Sequence, residues 1–160
     1  MNGEMERIGR ERGLTVVELL VVVAIVAIAA AMSAMMLTTA TRASGMQESR
    51  AVVASTIRRA TSAAAKSGVT QGLDLWTIPV SSTVRLRTDA PAPLPESALL
   101  QGSVDLQGGT GYPFTNGTNR AVAVVISDDA DPQTSFAVVL GQSATVTEYR
   151  LVEGSWEVAK

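Results

Sequence analysis

The sequence predicts an α+β protein in which a long N-terminal helix packs on a C-terminal antiparallel β-sheet domain. Three observations support this fold class. Residues 14–37 form an apolar run whose only clearly polar members are Thr15, Glu18 and Ser33. Helical periodicity continues beyond that run, and after Val69 the pattern changes to the alternation typical of β-strands. We therefore expect one helix followed by a sheet domain of about a hundred residues.

The apolar run is long enough to cross a membrane. At about 1.5 Å per residue, a helix over residues 14–37 is about 36 Å long, and a hydrocarbon core is about 30 Å thick. Arg7, Arg10 and Arg12 precede the run closely, whereas the next basic residue after it is Arg42. This bias predicts a single-pass protein with a cytoplasmic N-terminus and an exported C-terminal domain.

A secretory signal peptide and a plain anchor are two simpler interpretations of the same run. A signal peptide has an apolar segment of about 7–15 residues followed by small residues at a cleavage site, and small residues do surround Ser33. The run nevertheless continues to Leu37. It also contains the carboxylate of Glu18, which neither a signal peptide nor an anchor needs.

The second part of the helix is predicted to be amphipathic. Its apolar positions recur at helical spacing on one face: Met46, Val53, Ile57, Ala60 and Ala64. No proline occurs before Pro79, and Gly68 is a plausible C-terminal stop. We expect one helix over about residues 14–66, with its first half in lipid and its second half on the domain.

The predicted organisation has four parts: a leader at residues 1–13, a transmembrane and assembly helix at 14–37, its amphipathic continuation at 38–68, and an exported β-rich domain at 69–160. Segments of strand length occupy residues 73–78, 82–87, 103–106, 120–126, 135–140, 144–152 and 156–158. Turn residues such as Asn116-Gly117 separate them, and residues 90–95 form a proline-rich extended connector.

Composition argues against several functional classes. The chain has no cysteine and no histidine, which removes the thiolate nucleophile, the usual general base near neutral pH and the commonest metal ligand. No glycine-rich phosphate loop is present. The net charge of −2 is not that of a basic nucleic-acid binder. We expect no enzyme, no cofactor and no metal site.

Glu18 is the residue of the apolar run that needs an explanation. A carboxylate at the bilayer centre costs about 2.5–3.5 kcal/mol, and the positive end of the helix dipole offsets only part of that cost. If the chain were cut after Gly13, Leu14 would carry a new ammonium group. The ammonium of one chain could then meet the Glu18 carboxylate of its neighbour. Such a pair would set the register of packed helices, because a shifted subunit would leave both charges unpaired.

Residues 13–25, Gly-Leu-Thr-Val-Val-Glu-Leu-Leu-Val-Val-Val-Ala-Ile, resemble the N-terminal signature of type IV pilins and type II secretion pseudopilins. The resemblance implies cleavage between Gly13 and Leu14 by a prepilin peptidase, methylation of the new N-terminus at Leu14, and a role for Glu18 in subunit register and assembly. Leu14 departs from the phenylalanine most often found after the cut. The chain also lacks the mid-helix proline of many larger pilins, which predicts a straighter helix.

The remainder of the chain is similar to the GspH/FimT family of minor pseudopilins and minor pilins. The order of a helix at residues 49–69, Phe-Thr-Asn-Gly-Thr at 114–118 before a valine-rich strand, and Val-Val-Leu-Gly at 138–141 before a final strand follows that family. Relatives that bind DNA carry arginines directly after this last glycine. Here Gln142 follows Gly141, and the next arginine is Arg150, which disfavours nucleic acid as a partner.

Two further groups of charged residues have both a functional and an ordinary interpretation. Arg85, Arg87 and Arg150 are the candidates for contact with DNA or a partner, although arginines on a strand more often form a solvated face. The acidic segment at residues 128–131 could ligate calcium through its aspartates, or it could be a solvated turn that ends at Pro132.

The resemblance implies a minor pseudopilin of a type II secretion system, a structural subunit at or near the pseudopilus tip. The alternative is a minor pilin of a type IV pilus that serves pilus biogenesis, twitching or DNA uptake. The implied partners are a prepilin peptidase, sibling pseudopilins or minor pilins, an inner-membrane assembly platform, and membrane lipid before assembly. The implied location is the bacterial inner membrane, with the domain in the periplasm, and then the filament.

Overall fold

A computed structural model describes residues 15–114 and 120–159 as one long helix and nine strands. The helix α1 spans Val16–Ser67. The strands are β1 Gln71–Asp74, β2 Val84–Arg87, β3 Leu99–Leu100, β4 Ser103–Leu106, β5 Pro113–Phe114, β6 Val122–Asp128, β7 Ser135–Leu140, β8 Val146–Val152 and β9 Ser155–Val158. Short 3-10 turns occupy Leu75–Thr77 and Pro95–Ser97. The predicted α+β class is confirmed.

The helix α1 is continuous over 52 residues, close to the bounds predicted from the sequence. Its end is also as predicted: Gly68 adopts a left-handed φ of 68°, and its N–H donates to the carbonyl of Ala64 at 3.2 Å. Glycine takes this conformation without the steric cost that a Cβ imposes.

The chain divides into two compact units between Thr39 and Ala40. In the described part of the first unit, every residue from Thr15 onward is exposed. The first half of α1 makes this helix long and apolar enough to cross a membrane, by length and composition alone. This unit therefore presents a fully exposed apolar helix surface.

The second unit contains the core, and the predicted amphipathic stripe of α1 is part of it. Met46, Val53, Ile57 and Ala64 are buried, and Ala60 packs against the same cluster. They contact one face of the larger sheet, whose buried residues include Val122, Val124, Ile126, Phe136, Val138 and Leu140. The periodicity thus correctly identified the packed face of the helix.

Two sheets form the β portion of the described chain. The larger has six strands in the order β2-β6-β7-β8-β9, with β3 also paired to β6, and the smaller has the order β1-β4-β5. Pairing is antiparallel, as predicted, except that β3 runs parallel to β6, with Leu99 opposite Val122. Strands β3 and β5 were not predicted because two residues are too few to show a period.

The outer face of the larger sheet is covered by the proline-rich connector. Leu94 of the connector and Ala98, which lies just after it, pack on a second apolar cluster of Ala121, Ala123, Val125, Ala137 and Val139. Trp156 Nε1 donates to the carbonyl of Ala92 at 3.4 Å, and the Tyr149 hydroxyl donates to Glu96 Oε1 at 3.0 Å. The connector is therefore a structural cover as well as a link, which composition alone did not predict.

Candidate assembly site at the start of the helix

The start of α1 is a capping box formed by Thr15 and Glu18. Thr15 is the residue before the first helical position, and its hydroxyl oxygen accepts the Glu18 N–H at 3.2 Å. In return, Glu18 Oε2 accepts the Thr15 N–H at 2.9 Å and the Thr15 hydroxyl at 3.0 Å. These bonds satisfy two N–H groups that a helix N-terminus otherwise leaves without partners.

The capping box leaves part of the Glu18 carboxylate open. Both bonds from Thr15 end on Oε2, and Oε1 accepts no hydrogen bond within the described residues. A carboxylate can accept about four hydrogen bonds. The side chain is therefore oriented by its own chain while one oxygen remains available to a donor from outside.

Thr15 is the functional residue that sequence reasoning missed. The spacing Thr-x-x-Glu directly before an apolar run is a known sign of a helix start, and residues 15–18 match it. The sequence therefore contains the signal for the capping box, in addition to the membrane cost of Glu18 and its pairing between chains.

Gly13 and Leu14 lie outside the described residues. Cleavage between them, methylation at Leu14 and the pairing of a new ammonium with Glu18 therefore stay predictions. The described structure adds that Glu18 sits in the first turn of the helix, two residues after α1 begins at Val16.

Apolar side chains surround this polar start on the first part of α1. Each of these side chains is at least 50% exposed: Val16, Val17, Leu19, Leu20, Val21, Val22, Val23, Ile25, Val26 and Ile28. A contiguous apolar surface of this size marks a site for lipid or for another protein. The Glu18 carboxylate is the single acidic group within this surface, so a partner that packs here would need a cation at that one position.

The model of the prokaryotic N-terminal methylation motif matches residues 8–34, which include Gly13, Leu14, Thr15 and Glu18. The chain carries a prepilin-type N-terminal motif. This motif supports a type IV pilin-like protein, either a pilin or a pseudopilin, and implies processing by a prepilin peptidase and assembly with other pilins. Together with the apolar helix, it supports anchoring in the inner membrane. No curated protein and no solved structure matches the chain.

The three arginines considered for DNA or partner contact have different surroundings. On β2, Arg85 forms an ion pair with Asp129, and Arg87 Nη2 lies 2.6 Å from Asp89 Oδ2. The hydrogen bonds from Arg87 hold the pKa of Asp89 below its usual value. Arg150 on β8 is exposed and makes no ion pair or hydrogen bond within the described part of the chain. The structure therefore does not gather the three into one free basic surface.

The acidic turn uses its carboxylates locally. Asp128 Oδ1 accepts the Ala130 N–H at 2.8 Å, and the two oxygens of Asp131 accept the Gln133 N–H and the Thr134 hydroxyl. Asp129 is the ion-pair partner of Arg85. Among residues 15–114 and 120–159, no group of three or more acidic side chains is arranged to hold a metal ion. The geometry is that of a hydrogen-bonded turn.

Proposed function

We propose that this chain is a minor pseudopilin of a type II secretion system, at or near the tip of the pseudopilus. The observation that carries the proposal is the prepilin-type motif, with Glu18 fixed in the first helical turn by Thr15. A domain of modest size with its own core, attached to an exposed apolar helix, fits a filament subunit whose domain recognises other minor subunits or cargo.

The mechanism is structural. After cleavage at Gly13, the Leu14 ammonium of one subunit approaches Glu18 Oε1 of its neighbour, while Oε2 stays in the capping box. The apolar faces of adjacent helices then pack with a register that this ion pair selects, because any other register leaves a buried charge without a partner. Methylation at Leu14 retains the positive charge, so the pair persists in the mature protein.

The proposed life cycle begins in the inner membrane. The N-terminus is cytoplasmic and the sheet domain is periplasmic until the assembly platform moves the subunit from lipid into the filament. The partners are the peptidase, that platform and sibling pseudopilins. We expect no catalytic role for the chain itself, whose sequence has no histidine or cysteine for acid–base or nucleophilic chemistry near neutral pH.

Direct DNA binding, one role of the alternative type IV minor pilin, has less support. Two of its three candidate arginines already have carboxylate partners, and each such partner would have to be displaced by a phosphate. A DNA-binding domain would show an affinity for DNA that falls steeply with salt and is lost when Arg85, Arg87 or Arg150 is changed to glutamine. We expect neither behaviour for this chain. If the wild type bound DNA with an affinity that fell steeply with added salt, and the three variants did not bind, the uptake role would be favoured.

The assembly role of Glu18 can be tested by replacing it with alanine. We expect Glu18→Ala to insert into the membrane as the wild type does, but to be incorporated poorly into filaments with its sibling subunits. Incorporation is measured by chemical cross-linking to those subunits with an amine-reactive reagent, because the chain has no cysteine. Membrane insertion is measured by membrane fractionation. Glu48→Ala, which removes an exposed carboxylate from the same helix, is the matched control and should assemble normally. Normal incorporation of Glu18→Ala would contradict the register mechanism.

A further inference from the structure

We propose that a cleft between α1 and the end of the larger sheet binds an acidic side chain presented by another protein chain. The cleft has a volume of about 340 Å³. Its lining residues come from the helix, from strands β7 to β9 and from the segment after β9: Gln47, Arg50, Phe136, Arg150, Val152, Glu157, Val158 and Ala159. This inference concerns the second unit and does not depend on processing at Gly13.

The sheet register places three of these residues in one row. Phe136 on β7 lies opposite Arg150 on β8, and Arg150 lies opposite Glu157 on β9. Directly opposed residues on antiparallel strands share a face of the sheet. Phe136 belongs to the core cluster that α1 covers, so this row faces the helix.

Arg50 reaches the row from the helix and is held in a defined position. Its guanidinium carbon lies 5.0 Å from the centre of the Phe136 ring, in cation–π geometry. Its Nε lies 3.0 Å from Glu148 Oε2, so the guanidinium also forms an ion pair with β8. Arg50 is thus a cation held in position at the edge of the cleft by Phe136 and Glu148.

Arg150 supplies a second cation at the same cleft. It makes no ion pair or hydrogen bond with the described residues, although Glu157 is its neighbour across the strands. The lining therefore has two arginines and one glutamate, a net charge of +1. Glu148 does not change this balance, because it pairs with Arg58 as well as with Arg50 and the charge of Arg58 offsets its own. An excess positive charge remains for a ligand.

The chemistry of the lining fits a carboxylate. Arginine forms paired, charge-assisted hydrogen bonds with a carboxylate, which carries a single negative charge. Val152 and Ala159 add apolar surface beside the arginines. A glutamate flanked by apolar residues therefore fits the cleft better than a free anion.

The test uses the full chain in detergent micelles and two synthetic peptides. One is acetyl-Gly-Val-Glu-Val-Gly-amide, and the other has glutamine in place of the glutamate. Binding is followed by nuclear magnetic resonance of the arginine side-chain N–H groups as peptide is added. We expect the glutamate peptide to shift the signals of Arg50 and Arg150, and the glutamine peptide to bind at least about tenfold more weakly.

Two variants should change the affinity for the glutamate peptide in opposite directions. Arg150→Gln should weaken binding about tenfold or more, since it removes one of the two cations. Glu157→Gln should strengthen binding, since it removes the competing carboxylate, and a merely misfolded variant would not produce this gain. The control is Arg59→Gln, which removes an exposed helix arginine outside the cleft and should leave the affinity unchanged. Equal binding of both peptides, or unchanged affinity in both cleft variants, would overturn the proposal.

Discussion

Glu18 has one role inside its own chain and a second, proposed role between chains. Its contacts with Thr15 close a capping box, and both of them use Oε2. The sequence predicted that this carboxylate is special because of its cost in lipid. The capping role was also present in the Thr-x-x-Glu spacing, whereas the free Oε1 could only be recognised from the geometry.

Tyr149 gives a residue-scale prediction about pH. Its half-buried position raises the pKa of the phenol, and the hydrogen bond to Glu96 raises it further. Since the folded-state pKa lies above the unfolded value of about 10, this contribution is complete below pH 10. It is lost as the pH rises through the folded-state value.

We therefore expect Tyr149→Phe to lower the free energy of unfolding by about 1 kcal/mol at pH 7, through loss of the hydrogen bond. The difference from wild type should shrink above pH 10. Urea unfolding followed by tryptophan fluorescence at pH 7 and at pH 11 measures both values. Tyr112→Phe, at an exposed position, should change stability by less than about 0.5 kcal/mol. A constant difference across this pH range would be inconsistent with the assignment.

At the scale of elements, local patterns were predictable and distant pairings were not. The helix stripe and strand β4 follow periodicities that a few neighbouring residues define, and β7 is a continuous apolar run of strand length that is buried throughout. Arg58 and Glu148, in contrast, are 90 positions apart and meet only because α1 lies on the larger sheet. For the same reason the sequence did not predict that Trp156 contacts the connector or that Tyr149 contacts Glu96, just after it.

Glu148 joins α1 to β8 through Arg50 and Arg58, and its removal should loosen this packing. Glu148→Ala leaves Arg50, whose side chain is 21% exposed, without its anion. We expect a loss of about 1–3 kcal/mol in the free energy of unfolding. Arg58→Ala should cost less than about 1 kcal/mol, because its side chain is 54% exposed.

Urea unfolding of the two single variants and the double variant gives the coupling energy between Glu148 and Arg58. Glu48→Ala, on the exposed side of α1, is the matched control and should be close to neutral. If Glu148→Ala were as stable as the wild type, the ion pairs would not contribute to holding helix and sheet together.

At the scale of the whole molecule, the two units differ in whether their apolar residues are buried. The second unit buries them between α1 and the sheet, and beneath the connector. The described residues of the first unit leave them exposed, so that lipid or other subunits must cover them. Composition along the chain predicted this contrast, because hydropathy is concentrated in residues 14–37. The cleavage point itself lies outside the described residues.

We propose that the chain is a processed type IV pilin-like subunit whose mature N-terminus is Leu14. Intact-mass and N-terminal peptide mass spectrometry of the protein extracted from membranes tests it directly. We expect a chain that begins at Leu14 and carries one added methyl group on its α-amino nitrogen. A chain that begins at Met1, or near Ser33 as a cleaved signal peptide would leave it, would contradict cleavage after Gly13.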